Sequence, residues 1–219
     1  MQALRGTQDI LPKDIWKWNY VEKKIREWCR LYRFGEIRTP MFEATELFLR
    51  GIGDTTDVVT KEMYTFNDRG GRSITLRPEN TAAVVRSFLE HKAYADDNVH
   101  KVFYIGSMFR YDRPQAGRFR EFHQFGIETL GSYSPAADAE CIALAVDFFH
   151  SLGLKDLKLL INSIGHVECR KAYRERLIKF LEPKKDQLCD DCKERLYKNP
   201  LRVLDCKEDG CKAASEGAP

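Results

Sequence analysis

The stretch MFRYDRPQAGRFREFHQFGIE, residues 108–128, connects two apolar segments through an arginine-rich loop. The segment before the loop, Lys101 to Met108, is apolar and aromatic, and Glu121 to Leu130 is a second strand-like run. Two such runs on either side of a polar connection are typical of paired antiparallel strands. The stretch therefore predicts a long hairpin at the centre of the fold.

The second strand of this hairpin has two different faces, because side chains two positions apart point to the same side of a strand. One face carries an aromatic ring, an amide, a bare backbone position and a carboxylate, from Phe122, Gln124, Gly126 and Glu128. The opposite face, which begins at His123, is the more apolar one. The polar face indicates the floor of a site for a polar ligand, although an ordinary half-solvated strand would show a similar pattern.

The loop between the two strands contains a cluster of arginines, namely Arg110, Arg113, Arg118 and Arg120. A planar guanidinium group makes paired hydrogen bonds to phosphate, so the cluster favours phosphate recognition. A solvated basic loop is the alternative interpretation.

A second polar cluster lies in Thr75–Thr81, where a predicted strand ends and a predicted helix begins. Glu79 and Thr81 are at the start of this helix, where carboxylates and hydroxyls are favoured as caps. Capping alone explains both residues, and a carboxylate at this place also suits an ammonium group.

A long amphipathic helix is predicted over residues 13–34. Its apolar stripe repeats at spacings of three and four residues and consists of Trp18, Val21, Ile25, Trp28 and Tyr32. Gly35 is expected to stop the helix. A short strand, Glu36–Thr39, is expected to follow and to end at Pro40.

The remaining pattern mixes hairpins with separate helices. A second hairpin is predicted from Met63–Phe66 and Ser73–Leu76, and a short strand from Leu157–Ile161. Further helices are predicted at Asn80–His91, Ser134–Gly153 and Ile164–Leu181, the last one closed by Pro183. Together these elements indicate an α+β fold in which helices flank an antiparallel sheet.

Composition narrows the class of protein without identifying a partner. The 219 residues include 36 Lys and Arg against 33 Asp and Glu, so the net charge of +3 neither requires nor excludes a nucleic acid. No stretch approaches the roughly 18 apolar residues of a membrane span, and the N-terminus has no apolar signal region. A cytoplasmic protein that is not embedded in a membrane is therefore expected.

Four of the 7 cysteines are grouped near the C-terminus. Cys189-x2-Cys192 and Cys206-x4-Cys211 are separated by thirteen residues, which fits a zinc knuckle with four cysteine ligands. Free thiols in a reducing compartment are the alternative. A zinc ion held by four thiolates would be structural, because no coordination position is left open.

Several of these motifs together resemble the class II aminoacyl-tRNA synthetases. The long helix with the strand ending at Pro40 resembles their motif 1, and Phe109 to Glu128 resembles motif 2, a strand, loop and strand that binds ATP. The residues within these motifs are most similar to those of the histidyl-tRNA synthetases. Four pieces carry this similarity: Arg5–Asp9, Thr75–Glu79, the hairpin matches Met108–Arg110, Arg113–Gln115 and Phe122–Gln124, and Asn199–Asp205.

The resemblance implies an ATP site formed by the hairpin. In this family, the arginine matching Arg110 holds the α-phosphate and is catalytic, and the one matching Arg118 reaches the γ-phosphate. Phe122 matches the aromatic residue that stacks on adenine. Asp112 matches an acidic residue that helps to position adenine, where a glutamate is the expected type. Magnesium is expected to bridge the phosphates.

The resemblance also implies a site for histidine. The family binds the α-amino group through residues that match Glu79, Thr81 and Gln124, and it recognises the imidazole through the match of Glu128. Such a buried carboxylate can accept a ring N–H, and a site built around that bond rejects ligands that lack it.

The same resemblance implies the domain organisation and partners. Residues 1–161 match the first half of the catalytic core, with motifs 1 and 2, and residues 162–219 match the start of a helical insertion between motifs 2 and 3. Motif 3, a histidine-specific segment and an anticodon-binding domain are not in the chain, so a fragment that is inactive on its own is expected. The partners implied are histidine, tRNA(His) and a second subunit in a homodimer.

Two other functions fit parts of the sequence. A non-catalytic paralogue could use the same pocket to sense histidine as the regulatory subunit of the ATP phosphoribosyltransferase of histidine biosynthesis. The intact Arg110, Arg118 and Phe122 favour the ligase, since a sensor does not need to hold ATP. A zinc-dependent nucleic-acid module depends only on the cysteines, and the near-neutral charge argues against it.

Overall fold

The computed structural model describes residues 1–52, 58–96, 98–162 and 165–219. Its strands are β1 (Gly35–Glu36), β2 (Phe42–Ala44), β3 (Tyr64–Asn67), β4 (Ser73–Leu76), β5 (His100–Phe109) and β6 (Glu121–Leu130). Its α-helices are α1 (Ile15–Leu31), α2 (Thr45–Ile52), α3 (Thr81–Glu90), α4 (Pro135–Ser151), α5 (Val167–Leu181), α6 (Asp190–Lys198), α7 (Leu201–Leu204) and α8 (Asp209–Ser215). These elements form an α+β fold with antiparallel sheets flanked by helices, as the sequence predicts.

The chain divides into two compact units, Met1–Leu157 and Lys158–Pro219. The first unit contains all six strands together with α1 to α4, and the second contains α5 to α8. Among the described residues, no helix has the length and apolar character that crossing a membrane requires.

The larger pairing in the first unit is the antiparallel ladder of β5 and β6. It runs without interruption from His100 opposite Leu130 to Phe109 opposite Glu121. The predicted hairpin is therefore confirmed. β1 adds a short parallel edge to β5, with Gly35 opposite Val102.

The second sheet has the strand order β2-β4-β3, with all neighbours antiparallel. The predicted hairpin of β3 and β4 is confirmed. Its turn is organised by Asp68, whose carboxylate accepts hydrogen bonds from the backbone N–H groups of Gly70 at 2.8 Å and Arg72 at 2.9 Å. An aspartate that bonds its own turn in this way fixes the connection without help from the core.

The apolar core of the first unit lies behind the hairpin sheet. Its buried residues come from α1, the chain just after it, β5 and α4, and they are Ile25, Cys29, Phe34, Phe103, Leu144 and Phe148. Phe125 and Ile127 of β6 pack against this cluster, so the apolar face predicted for β6 is confirmed as the core face. The opposite face of the sheet carries a smaller buried cluster of Val84, Tyr104 and Met108 beside its polar side chains.

Helix α1 ends earlier than the sequence predicts. Gly35 was expected to stop it, but the last helical residue is Leu31 and Gly35 already belongs to β1. Arg33 takes the left-handed conformation at φ 61°, and the Phe34 N–H donates to the Cys29 carbonyl at 2.8 Å. A left-handed residue followed by such a hydrogen bond ends a helix in the way that a glycine usually does. The prediction that Gly35 ends α1 was therefore wrong.

The strand predicted at Leu157–Ile161 is wrong, because this segment has no regular secondary structure. A strand needs a neighbour for its backbone N–H and C=O groups, and none of the described strands pairs with it. Leu160 and Ile161 are consequently exposed, at 77% and 76%.

The helix predicted from Ile164 begins at Val167, and Ile164 itself lies outside the described residues. The predicted end of this helix at Leu181, just before Pro183, is confirmed. Pro183 lies in the first turn of a 3-10 helix, Glu182–Gln187, that directly follows α5. Proline is tolerated there because a first turn has no internal partner for the missing N–H.

Replacing Leu144 by alanine should lower the free energy of unfolding by about 2–5 kcal/mol, because its fully buried side chain leaves a cavity between α4 and the sheet. Urea denaturation measures the change. Leu154→Ala, at a position 48% exposed, is the matched control and should change the free energy of unfolding by about 0.5 kcal/mol or less. Equal losses in the two variants would contradict the core assignment.

Candidate functional site

The polar face of β6, formed by Phe122, Gln124, Gly126 and Glu128, is the front face of the sheet. It leaves space for a tyrosine of the neighbouring strand. Gly126 lies opposite Tyr104 in the ladder, and a Cβ atom at position 126 would lie only 2.3 Å from the Tyr104 Oη. Only glycine permits so close an approach of a side chain to the strand. The Tyr104 ring therefore lies over the middle of the front face, where it is 5% exposed.

A second glycine in the same sheet accommodates Arg77. Gly106 lies opposite Gln124, and a Cβ there would lie 2.4 Å from the Arg77 Nη2. The buried Arg77 donates from Nε to the Ser107 carbonyl at 2.9 Å and from Nη1 to the Thr39 carbonyl at 3.0 Å. Burial lowers the pKa of Arg77, but a guanidinium stays charged at neutral pH.

These bonds attach the connection between β4 and α3 to the hairpin sheet, so the start of α3 is held against the front face. Thr81 Oγ1 there donates to Glu128 Oε1 at 2.7 Å. The Glu79 carboxylate accepts from the backbone N–H groups of Thr81 at 2.5 Å and Ala82 at 3.1 Å. Glu79 therefore caps α3, and Thr81 links the helix start to the strand.

Both ionisable groups at the centre of this cluster have raised pKa values. Burial raises the pKa of Glu128, and the nearby Glu79 carboxylate adds to this effect, while the hydrogen bond from Thr81 opposes it. Burial also raises the pKa of Tyr104 to about 12, with a further contribution from Glu128. Thr81 and Glu128 are both hydrogen-bonding neighbours of the Tyr104 hydroxyl.

The charge of the cluster has no balancing cation among the described side chains, since neither Glu79 nor Glu128 forms an ion pair with a described Lys or Arg. Gln124 lies on the same strand face, and its Oε1 is buried with no hydrogen-bond partner among the described residues. A buried acceptor without a donor is costly. A ligand that brings an ammonium group or an N–H would satisfy both the charge and this orphan oxygen.

The residues predicted to bind ATP lie in and beside the arginine loop, where they form two contacting pairs. Arg110 donates from Nε to the Pro78 carbonyl at 2.9 Å, and its guanidinium carbon lies 5.3 Å from the centroid of the Phe122 ring. Arg118 instead forms an ion pair with Asp112. The structure thus brings Arg110 to Phe122 and Arg118 to Asp112, and the Asp112 backbone N–H links the two pairs by donating to the Arg110 carbonyl at 2.8 Å.

The four C-terminal cysteines converge in the second unit. The Sγ atoms of Cys189, Cys192, Cys206 and Cys211 all lie within 4.8 Å of one another. All four are free thiols.

The sequence model of the histidyl-tRNA synthetase family matches residues 6–191, which is most of the chain. The chain belongs to the histidyl-tRNA synthetase family.

Individual relatives agree with this assignment. The chain is 65% identical to the histidine–tRNA ligase of Anoxybacillus flavithermus over 209 residues, which cover 95% of this chain and 49% of the relative. The crystal structure of apo S. aureus histidyl-tRNA synthetase superposes with a TM-score of 0.73 at 45% identity, over 99% of this chain and 53% of that one. The chain thus spans about half the length of the curated relatives that it matches.

A more distant solved structure shares the fold. It is described as an ATP phosphoribosyltransferase regulatory subunit/histidyl-tRNA synthetase from Bacillus halodurans, with a TM-score of 0.64 at 21% identity, over 98% of this chain and 58% of that one. At this identity, the similarity shows the fold alone.

Two contributors to the site were missed in the sequence, namely Tyr104 and Arg77, whereas Arg120 belongs to the arginine cluster that the sequence indicated. The guanidinium carbon of Arg120 lies 3.9 Å from the Tyr111 ring centroid, and its backbone N–H donates to the Gly6 carbonyl at 2.7 Å. The N-terminal segment around Gly6 therefore supports the arginine loop. Glycines inside strands signal close approach of another group, so Gly106 and Gly126 were the available clue to Arg77 and Tyr104.

Replacing Glu128 by glutamine should stabilise the fold at neutral pH. Because burial raises the pKa of Glu128 above its unfolded value, the unfolded chain binds fewer protons between the two pKa values. The free energy of unfolding therefore falls as pH rises through that interval, and the penalty persists above it. Urea denaturation should show Glu128→Gln more stable than the parent at pH ~7, with the difference shrinking towards pH ~4.

Glu121→Gln is the matched control, because it removes a carboxylate from the same strand outside the cluster. It should keep the pH dependence of the parent. The account of Glu128 fails if Glu128→Gln differs from the parent by the same amount at both pH values.

Proposed function

We propose that the protein containing this chain is a cytoplasmic histidine–tRNA ligase, which uses ATP to form histidyl-adenylate and then transfers the histidyl group to tRNA(His). The observation that carries the proposal is the hydrogen-bonded cluster of Glu79, Thr81 and Glu128, which lies against the hairpin sheet whose strands the arginine loop connects. The activity is assigned to the whole protein, of which residues 1–161 form the first half of the catalytic core and residues 162–219 the start of an insertion.

Histidine would bind on the front face of β6. Its imidazole N–H would donate to Glu128, which Thr81 already holds in place at 2.7 Å. Its ammonium group would bond to the orphan Gln124 Oε1, with Thr81 and Glu79 as its other partners. Amino acids that cannot donate to Glu128 would leave a buried carboxylate unpaired, which is a strong source of discrimination.

ATP would bind along the arginine loop. Phe122 would stack on adenine, with Asp112 helping to position it, and Arg118 would exchange its ion pair with Asp112 for the γ-phosphate. Magnesium would enter already bound to the ATP phosphates, where it neutralises their charge. No protein carboxylate is assigned to it.

Arg110 would be the catalytic residue of this half of the site. A carboxylate oxygen of histidine bonds to the α-phosphorus, the bond to the bridging oxygen breaks, and pyrophosphate leaves. Arg110 would stabilise the charge on the α-phosphate oxygens during this step. A terminal ribose hydroxyl of tRNA(His) would then attack the histidyl carbonyl and release AMP.

The alternative function, a histidine-sensing regulatory subunit of ATP phosphoribosyltransferase, shares the histidine site but not the chemistry. The similarity to the Bacillus halodurans structure concerns the fold and does not favour either function. The arginine pairings in the loop favour the ligase. Histidine binding without histidine-dependent exchange between ATP and pyrophosphate would support the sensor and contradict the ligase.

We also propose a homodimer. The predicted stripe packs mainly on the core of its own subunit, because Ile25 is buried and Trp28 and Tyr32 contact the cluster behind the sheet. Other apolar side chains of α1 remain uncovered, with Trp16 at 61%, Tyr20 at 49% and Leu31 at 64% exposure. Sedimentation of the complete protein at micromolar concentration should give a dimer, and a monomer would contradict this assignment.

In the complete protein, Arg110→Ala should slow histidine-dependent exchange of pyrophosphate into ATP by about 10²–10³-fold, the effect of removing one donor to a developing anion. Arg110→Lys should also be slow, because a lysine cannot reproduce the forked bonds. Arg72→Ala, which removes an 82% exposed side chain on the second hairpin, is the control and should exchange at the parental rate. Parental exchange by Arg110→Ala would refute the proposed role.

A further inference from the structure

The second unit is small and is built from short helices around a core that includes the cysteines. Cys192 and Cys211 are fully buried, and Cys189 and Cys206 are partly buried beside them. The surrounding apolar residues come from all four helices and the connections between them, and they include Leu177, Leu181, Leu188, Leu196 and Val203. Units of roughly this size usually need a disulfide, a metal or another covalent restraint in addition to their core.

The four sulfur atoms come from two pairs of cysteines that are thirteen residues apart in the sequence. Cys189 precedes the first residue of α6 and Cys192 is in its first turn, whereas Cys206 follows α7 and Cys211 lies in α8. Residues that are distant in sequence are thus brought into one cluster whose members lie within 4.8 Å of one another. Thiols scattered for ordinary packing would have no reason to meet in this way.

The spacing of the sulfur atoms suits tetrahedral zinc. Four thiolates at the usual zinc–sulfur distance of about 2.3 Å are about 3.8 Å apart. The Sγ atoms of Cys189 and Cys206 are 3.9 Å apart, and the largest separation in the cluster requires a contraction of under about 1 Å on binding.

Backbone groups already support these sulfur atoms. The Cys189 N–H donates to the Cys211 Sγ at 3.2 Å, and the Glu208 backbone N–H hydrogen-bonds to the Cys206 sulfur. Hydrogen bonds of this kind orient the ligands of a metal site. Gly210 lets the start of α8 approach the chain before Cys189, because a Cβ at that position would lie 2.6 Å from the Gln187 carbonyl oxygen.

We propose that Cys189, Cys192, Cys206 and Cys211 together bind one zinc ion, which ties α6, α7 and α8 into a single folded unit. With four protein ligands the coordination is complete, so the ion is structural and takes no part in catalysis. Its binding energy contributes to the stability of the fold, because the unfolded chain has no preformed site.

The metal content of the protein, purified without chelators and measured by mass spectrometry of the elements, tests the proposal directly. We expect about one zinc per chain and almost none in Cys206→Ser. Cys169→Ser is the matched control, because Cys169 is an exposed cysteine of the same unit outside the cluster. It should retain the zinc content of the parent.

A second measurement covers the possibility that Cys206→Ser does not fold. Zinc is removed from the parent protein under reducing conditions and replaced by cobalt, which should give the visible absorption bands of tetrahedral cobalt bound to thiolates. Removal of the metal should also lower the melting midpoint, and added zinc should restore it. Gly210→Ala should weaken zinc retention in competition with a chelator, since its Cβ clashes with the Gln187 carbonyl.

Several results would overturn the proposal. One is a protein that contains no metal and melts at the same temperature with and without a chelator. Another is iron with the absorption of an iron–sulfur cluster. A third is a disulfide between Cys189 and Cys206, detected as a loss of two titratable thiols under native conditions. None of these outcomes affects the proposed ligase function, because the pyrophosphate exchange assay reports on the first unit.

Discussion

The register of the β5–β6 ladder determines where every other part of the candidate site lies. A shift by one residue would turn each side chain of β6 to the opposite face. It would send Phe125 and Ile127 away from the core and bring Gln124 and Glu128 into it. In the observed register the apolar face packs on α1 and α4, and the polar face lies against the start of α3. Gly106 and Gly126 then lie beneath Arg77 and Tyr104, which need that space.

Two polar groups of the front face cost stability in the absence of a ligand. Partial burial raises the pKa of Glu128, and the Gln124 Oε1 lacks a donor among the described residues. Local arrangements that cost stability are expected where a protein binds a ligand, and the remaining structure must offset them. Here the compensation comes from the apolar cluster on the other face of the same strands. One pair of strands therefore places the larger apolar cluster on one face and the proposed binding residues on the other.

Much of this arrangement was predictable, because hairpins and strand faces follow from local patterns. The alternation in β6 identified both faces, and the polar turn before β4 identified the second hairpin. Tyr104 and Arg77 were missed because each appears in the sequence as an ordinary strand or loop residue. Their roles depend on glycines that become neighbours only after pairing. Leu157–Ile161 was predicted as a strand from its composition alone, but a strand also requires a partner, and the described strands provide none.

In the proposed ligase, the front face of β6 binds histidine. A crystal structure of the complete protein with histidine at neutral pH tests it most directly. The account predicts the imidazole within hydrogen-bonding distance of Glu128 and the ammonium group next to the Gln124 Oε1. Histidine bound elsewhere in the protein, or bound on this face with its imidazole directed away from Glu128, would contradict the account.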